Sequence, residues 1–179
     1  MRLGVIAVAL SAPAAGAGAA DAATLVVDDD GAQCAQAAYA SIQPAVDAAQ
    51  PGDTVKVCAG NYAEQVTVAK PLTLTGDPDA VEALDCYQPS ASTLGDLDPT
   101  RQAIVDPPAD GYSIAFRLQA DEIVVEGLAI ERASVGIDAG DRHSGYRIDH
   151  NLLRRNTLFA IDLGSEGTQQ SRVDHNCLR

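Results

Sequence analysis

The apolar positions of this chain fall into one early block followed by many short runs. Leu3 to Leu10 form an apolar stretch behind Arg2, and small residues, Pro13 and Gly16 follow. Small-x-small sites end at Ala17, Ala19 and Ala22. A basic start, an apolar middle and small-residue cleavage sites predict a signal peptide over residues 1–23. The stretch is too short and too rich in Gly and Ala to span a bilayer, and no other apolar run is long enough, so no membrane span is expected. Residues 24–53 then read as a strand and a cap. Thr24 to Val27 is β-branched and ends at the turn Asp28-Asp29-Asp30-Gly31. Ser41 is placed to N-cap a short helix with Ile42, Ala45, Val46 and Ala49 on one face, stopped by Pro51-Gly52-Asp53.

Over residues 54–179 the period changes from helical to alternating. Strands are expected at Thr54 to Cys58, Val66 to Val68 and Leu72 to Leu74, with a turn at Ala59-Gly60-Asn61 and a corner at Lys70-Pro71. Residues 77–102, rich in Pro, Asp and Ser, break the pattern and read as a loop inserted between coils. Strands resume at Ala103 to Val105, Ile114 to Leu118 and Ile123 to Ile130.

An internal repeat ties these strands together. Tyr146-Arg147-Ile148-Asp149-His150-Asn151-Leu152-Leu153-Arg154 matches Ser171-Arg172-Val173-Asp174-His175-Asn176-Cys177-Leu178-Arg179 at six of nine positions, with an offset of 25. Ile123 to Ile130 carries the same apolar frame one turn earlier. A second strand recurs as Ile114-Ala115-Phe116, Val135-Gly136-Ile137-Asp138 and Phe159-Ala160-Ile161-Asp162. Short strands with a period of about two dozen residues predict the rungs of an all-β solenoid, a parallel β-helix. A leucine-rich repeat has a similar period but needs a helical return that the sequence lacks.

Composition narrows the partners. The net charge is −13, which opposes nucleic acid and anionic membranes. Aromatic residues make up only 4% and Trp is absent, so Val, Ile, Leu and Ala must build the core. Four cysteines without a CxxC suit an oxidising, extracellular compartment rather than a zinc site. Cys34 precedes the cap helix and Cys58 ends the first coil strand, so a Cys34–Cys58 bond would staple the cap to the sheet. Cys86–Cys177 is the remaining pair and needs the inserted loop to run along several rungs.

Ser41-Ile42-Gln43-Pro44-Ala45-Val46-Asp47-Ala48-Ala49, Pro51-Gly52-Asp53-Thr54-Val55, Cys58-Ala59-Gly60-Asn61-Tyr62 and Leu72-Thr73-Leu74-Thr75-Gly76 resemble the N-terminal cap and first coils of the pectate-lyase-like superfamily. Pectinesterases and NosD-type proteins open similarly, and the Asp-His-Asn-x-Leu-Arg repeats resemble the group's generic coil. The resemblance implies a right-handed parallel β-helix, secreted, that binds or processes extracellular polysaccharide. Such a protein would be a lyase or glycoside hydrolase if it is an enzyme at all. The alternative is a non-catalytic structural or surface-interaction β-helix. No catalytic motif of the superfamily is found: there is no Gly-His-Gly, and Arg147-Ile148-Asp149 ends in the wrong charge for an Arg-Ile-Lys. The sequence stops mid-repeat at Arg179, which predicts a truncated chain whose open last rung self-associates end to end.

The candidate ligand-binding residues are the stacked pairs Arg147/Arg172, Asp149/Asp174 and His150/His175. Rungs lie about 4.8 Å apart, so an offset of one rung places like residues over one another. Alternation turns Ile148 and Val173 inward and the Arg and Asp residues outward, as a strip for sugar or for Ca²⁺ held by Asp oxygens. The competing reading is a solvated charge ladder. No cofactor is expected beyond such an ion. Asn151 and Asn176 should turn inward as a structural ladder of amides.

Overall fold

The structure is a computed structural model that describes residues 21–82, 84, 97–109 and 111–179. The signal-peptide segment and Cys86, with its proposed bond to Cys177, lie outside the described residues. Fifteen short strands and two short helices alternate along the described chain. Every strand pairing between them is parallel.

The chain visits three sheets in turn. The first sheet stacks β1 (Thr24–Val27), β2 (Thr54–Val57), β5 (Thr73–Thr75), β8 (Val124–Glu126), β11 (Arg147–Asp149) and β14 (Arg172–Asp174). The second stacks β3 (Gly60–Tyr62), β6 (Ala103–Val105), β9 (Ala129–Glu131), β12 (Leu152–Arg154) and β15 (Cys177–Leu178). The third stacks β4 (Val66–Val68), β7 (Ile114–Leu118), β10 (Val135–Ala139) and β13 (Phe159–Leu163). Repeated passes through three parallel sheets are compatible with a β-helix. Each connection carries the chain from one sheet into the next, so each strand finds its parallel partner one pass later.

Register follows the sequence repeat. Ile148 pairs with Val125 on one side and Val173 on the other, and Leu153 lies between Ile130 and Leu178. Val135 sits between Ile114 and Phe159. The inner faces converge on one largely aliphatic core that includes Val55, Leu74, Val125, Ile148, Ile130, Leu153 and Ile137, with Phe116 among them. Two readings of the local pattern need correction. Ala59-Gly60-Asn61 is not simply a turn, because β3 begins at Gly60. Ile123 to Ile130 is not one strand: β8 and β9 are separated by Gly127, whose φ of +68° makes a corner.

The helix α1 (Ile42–Ala48) covers the start of the stack with Ile42, Ala45 and Val46 buried. Ser41 holds the extended N-cap backbone, but its hydroxyl makes no capping bond. The carboxylate of Glu64 replaces it, accepting the N–H groups of Ile42 at 2.7 Å and Gln43 at 3.0 Å. A Cys34–Cys58 disulfide ties the segment before α1 to the end of β2. Closing a loop of this size contributes roughly 3 kcal/mol in the chain-entropy account.

The described residues of the insertion at 77–102 include some that pack on the stack. Its helix α2 (Pro78–Glu82) places Val81, with Leu84 and Leu97, against Ile104, Ala129, Leu152 and Cys177 on the outer side of the second sheet. This second apolar cluster reaches from β6 to β15. Alongside it Glu131 and Arg154, both buried, pair across neighbouring strands at 2.7 Å.

Candidate functional site

Two polar columns run along the outside of the first sheet. The register aligns Thr54, Thr73, Val124, Arg147 and Arg172 in one, and Lys56, Thr75, Glu126, Asp149 and Asp174 in the other. The last three positions of the second column are all acidic, and like charges on adjacent strands repel. Arginines from the first column offset this. Arg147 pairs with Glu126 and lies 4.0 Å from Asp149, and Arg172 pairs with Asp174. The hydrogen bond from Arg172 holds the Asp174 carboxyl below the usual range, and the Asp174 carboxylate in turn raises the Arg172 guanidinium.

The residue after each of β8, β11 and β14 turns the corner in the left-handed region. Gly127 does so at +68°, His150 at +52° and His175 at +51°. A β-carbon at such a position costs energy, yet this chain carries histidine there twice. The corner geometry stacks the two imidazoles with centroids 4.8 Å apart and planes within 12°. Both Nδ1 atoms face Asp149 Oδ1, at 2.8 Å from His150 and 3.3 Å from His175. His175 also approaches Asp174 Oδ2 at 3.6 Å.

Arg147, Asp149, His150, Arg172, Asp174 and His175 therefore form one cluster. Asp149 points outward from the sheet, yet it is not open to solvent. Its side chain is only 10% exposed, because the two corner rings fold back over it. Asp149 Oδ1 and Asp174 Oδ1 are buried and accept no hydrogen bond of good geometry. The donor set around Asp149 includes two imidazole nitrogens, unlike the all-oxygen set that Ca²⁺ takes.

Beneath the corner, Asn151 is fully buried and Asn176 partly so. The Asn151 amide accepts the Leu128 N–H at 3.1 Å and donates to the Val125 carbonyl at 2.9 Å. Asn176 accepts the Asn151 N–H at 2.9 Å and donates to the Ile148 carbonyl at 2.7 Å. Sequence reading missed two participants. Glu126 occupies the Asp149 position one pass earlier, a match contained in the apolar-frame alignment. Asn156 accepts the Ala133 N–H at the next corner, after Arg155 at +55°. Its signal is a left-handed residue followed by Asn, shared by His150-Asn151, Arg155-Asn156 and His175-Asn176.

Two grooves lie elsewhere. One of about 480 Å³ runs between the insertion and the first pass, beside Cys34, Lys56, Asp79 and Arg101. Another of about 460 Å³ lies on the third sheet among Arg117, Asp138, Arg142 and His143. Asp28, Asp29 and Asp30 also cluster, but each carboxylate accepts a backbone N–H, from Cys34, Asn61 and Ala32 respectively. No described helix is long and apolar enough to cross a membrane. Comparisons with protein-family models, with curated proteins and with solved structures return no match to this chain.

Proposed function

We propose that this chain is a secreted right-handed parallel β-helix protein of the pectate-lyase-like type that binds extracellular polysaccharide along the polar columns of its first sheet. Handedness rests on sterics: crossovers between parallel strands of one sheet are right-handed in about 98% of cases, because strand twist favours that return. A disulfide suits an oxidising compartment. The observation that carries the binding reading is the repetition of Arg147, Arg172, Glu126 and Asp174 on successive strands. Guanidinium donors beside carboxylate acceptors, repeated at rung spacing, offer a regular polymer the same hydroxyl partners on each rung. The net charge of −13 directs the preference to neutral sugars. A glycan array is expected to give signal on neutral polysaccharides, and the double variant Arg147→Ala/Arg172→Ala should bind at least about tenfold more weakly. A blank array, or equal binding by the double variant, overturns the reading.

A second reading, a non-catalytic structural or surface-interaction β-helix, is favoured by a different face. Leu158, Phe159, Leu163, Val173 and Leu178 stand exposed along the last described strands, where β13 and β14 are the outermost described strands of their sheets. Edges of this kind template further strands. Sedimentation of the 179-residue chain should show concentration-dependent association that Phe159→Lys with Leu178→Lys abolishes. A strict monomer at every concentration removes this reading.

A further inference from the structure

We propose that Asp149, His150 and His175 form a binding site for a late first-row divalent cation of the Zn²⁺ class. The inference does not rest on the polysaccharide reading. It rests on three donors from two successive passes of the chain that converge on one point. Asp149 Oδ1 stands 2.8 Å from His150 Nδ1 and 3.3 Å from His175 Nδ1. Ligand atoms bound at about 2.1 Å to one ion, at angles between octahedral and tetrahedral, are about 3.0–3.4 Å apart. The two Oδ1–Nδ1 spacings therefore need adjustments of a few tenths of an ångström, and the two imidazole nitrogens, which lie within 4.8 Å of each other, must also draw together. The imidazoles are free to make them by tilting, since the His150 and His175 side chains are 31% and 59% exposed.

The independent observation is the bare oxygen. Asp149 Oδ1 lies on a side chain nine-tenths buried, faces both imidazoles and accepts no hydrogen bond of good geometry. Asp174 Oδ1, on the adjacent strand, is a second buried oxygen in the same condition. A carboxylate oxygen withdrawn from water without a well-aligned hydrogen bond is costly, and a cation between it and the two nitrogens removes that cost. The ion would also relieve the repulsion between Asp149 and Asp174.

Donor chemistry selects the class. Two imidazoles and a carboxylate suit Zn²⁺ and its late first-row neighbours, whereas Ca²⁺ and Mg²⁺ take oxygen ligands. Three protein donors leave a coordination position for solvent on the exposed side of His175. The corner accepts glycine at Gly127 one pass earlier, yet carries histidine at 150 and 175.

Glycine at that corner also supplies the test. His150→Gly and His175→Gly copy a residue that the chain already uses in the same conformation, so the stack should be kept. Isothermal titration of the full chain with ZnCl₂ is expected to show one ion per chain with a dissociation constant on the order of micromolar. CaCl₂ should give no binding. Each glycine variant, and Asp149→Asn, should weaken Zn²⁺ at least about tenfold. The melting temperature of the unaltered chain should rise with Zn²⁺ and not with Ca²⁺, which tests the site without any substitution. Absence of Zn²⁺ binding, undiminished binding in the His150→Gly/His175→Gly variant, or Ca²⁺ binding of equal strength would each overturn the assignment.

Discussion

Replacing Ile148 by Ala should destabilise the protein by about 2–5 kcal/mol, whereas Arg147→Ala, one residue earlier on the same strand, should cost under about 1 kcal/mol. Ile148 is fully buried on β11, the fifth of the six strands of the first sheet, with Val125 below and Val173 above in register. The strands around it are held at hydrogen-bonding distance by their own ladders, so the rungs cannot close over a lost side chain. Most of the cavity therefore persists, and the cost belongs toward the upper part of that range. Arg147 contributes a half-exposed guanidinium paired with Glu126, an interaction that solvent screens. Val173 supplies an internal control. It holds the same column position but is 40% exposed, so Val173→Ala should resemble Arg147→Ala rather than Ile148→Ala. Urea denaturation measures all three, with midpoints shifting and the m-value unchanged. Equal losses at Ile148 and Val173 would contradict the difference in burial between the two side chains.

The columns of this core were legible because a solenoid repeats its own register. The offset of 25 between Tyr146–Arg154 and Ser171–Arg179 places Ile148 under Val173, and the structure pairs them so. What the repeat could not convey is anything that leaves the sheet plane. Alternation correctly turned Asp149 outward, but outward does not mean solvated when the next residue is a left-handed histidine whose ring folds back over it. The capping of α1 was hidden for a related reason. Its acceptor is Glu64, 22 residues from Ile42, and no local pattern marks a carboxylate supplied from the following pass. The insertion was read as a loop because it breaks the period. Val81 and Leu84, spaced as on a helix face, were its only signs of packing against the second sheet. Sequence periodicity thus reported the inward half of each strand well. Its outward half, where the candidate site lies, depends on corners and insertions that obey no period.

Asn151→Ala should cost about 3–5 kcal/mol, close to the loss at Ile148, although it removes no large apolar group. The amide reaches across one corner to three partners. It accepts from Leu128 N–H, donates to the Val125 carbonyl and donates to Asn176 Oδ1 at 3.0 Å. Alanine would leave the N–H of Leu128 and the carbonyl of Val125 buried without their partner, at about 1–3 kcal/mol each, and a small cavity would add to this. Asn176→Ala should cost less, because Asn176 is only partly buried and water can replace part of what it loses. Asn151→Asp separates bonding from volume. The carboxylate keeps the shape and can still accept from Leu128, but it turns an acceptor toward the Val125 carbonyl and Asn176 Oδ1. At neutral pH that variant should be at least as unstable as Asn151→Ala, since it also buries a charge. Burial and facing acceptors would raise the folded-state pKa of the new carboxyl above its unfolded value of about 3.9. The variant's stability relative to wild type should therefore be greatest near or below pH 4 and should fall as pH rises through the raised value. Below that value its O–H can replace the lost amide donor. Thermal melts of the three variants at pH 4 and pH 8 decide the matter. An Asn151→Asp variant whose deficit is the same at both pH values, or an Asn151→Ala loss below about 1 kcal/mol, would mean that the asparagine fills space at the corner without tying the passes together.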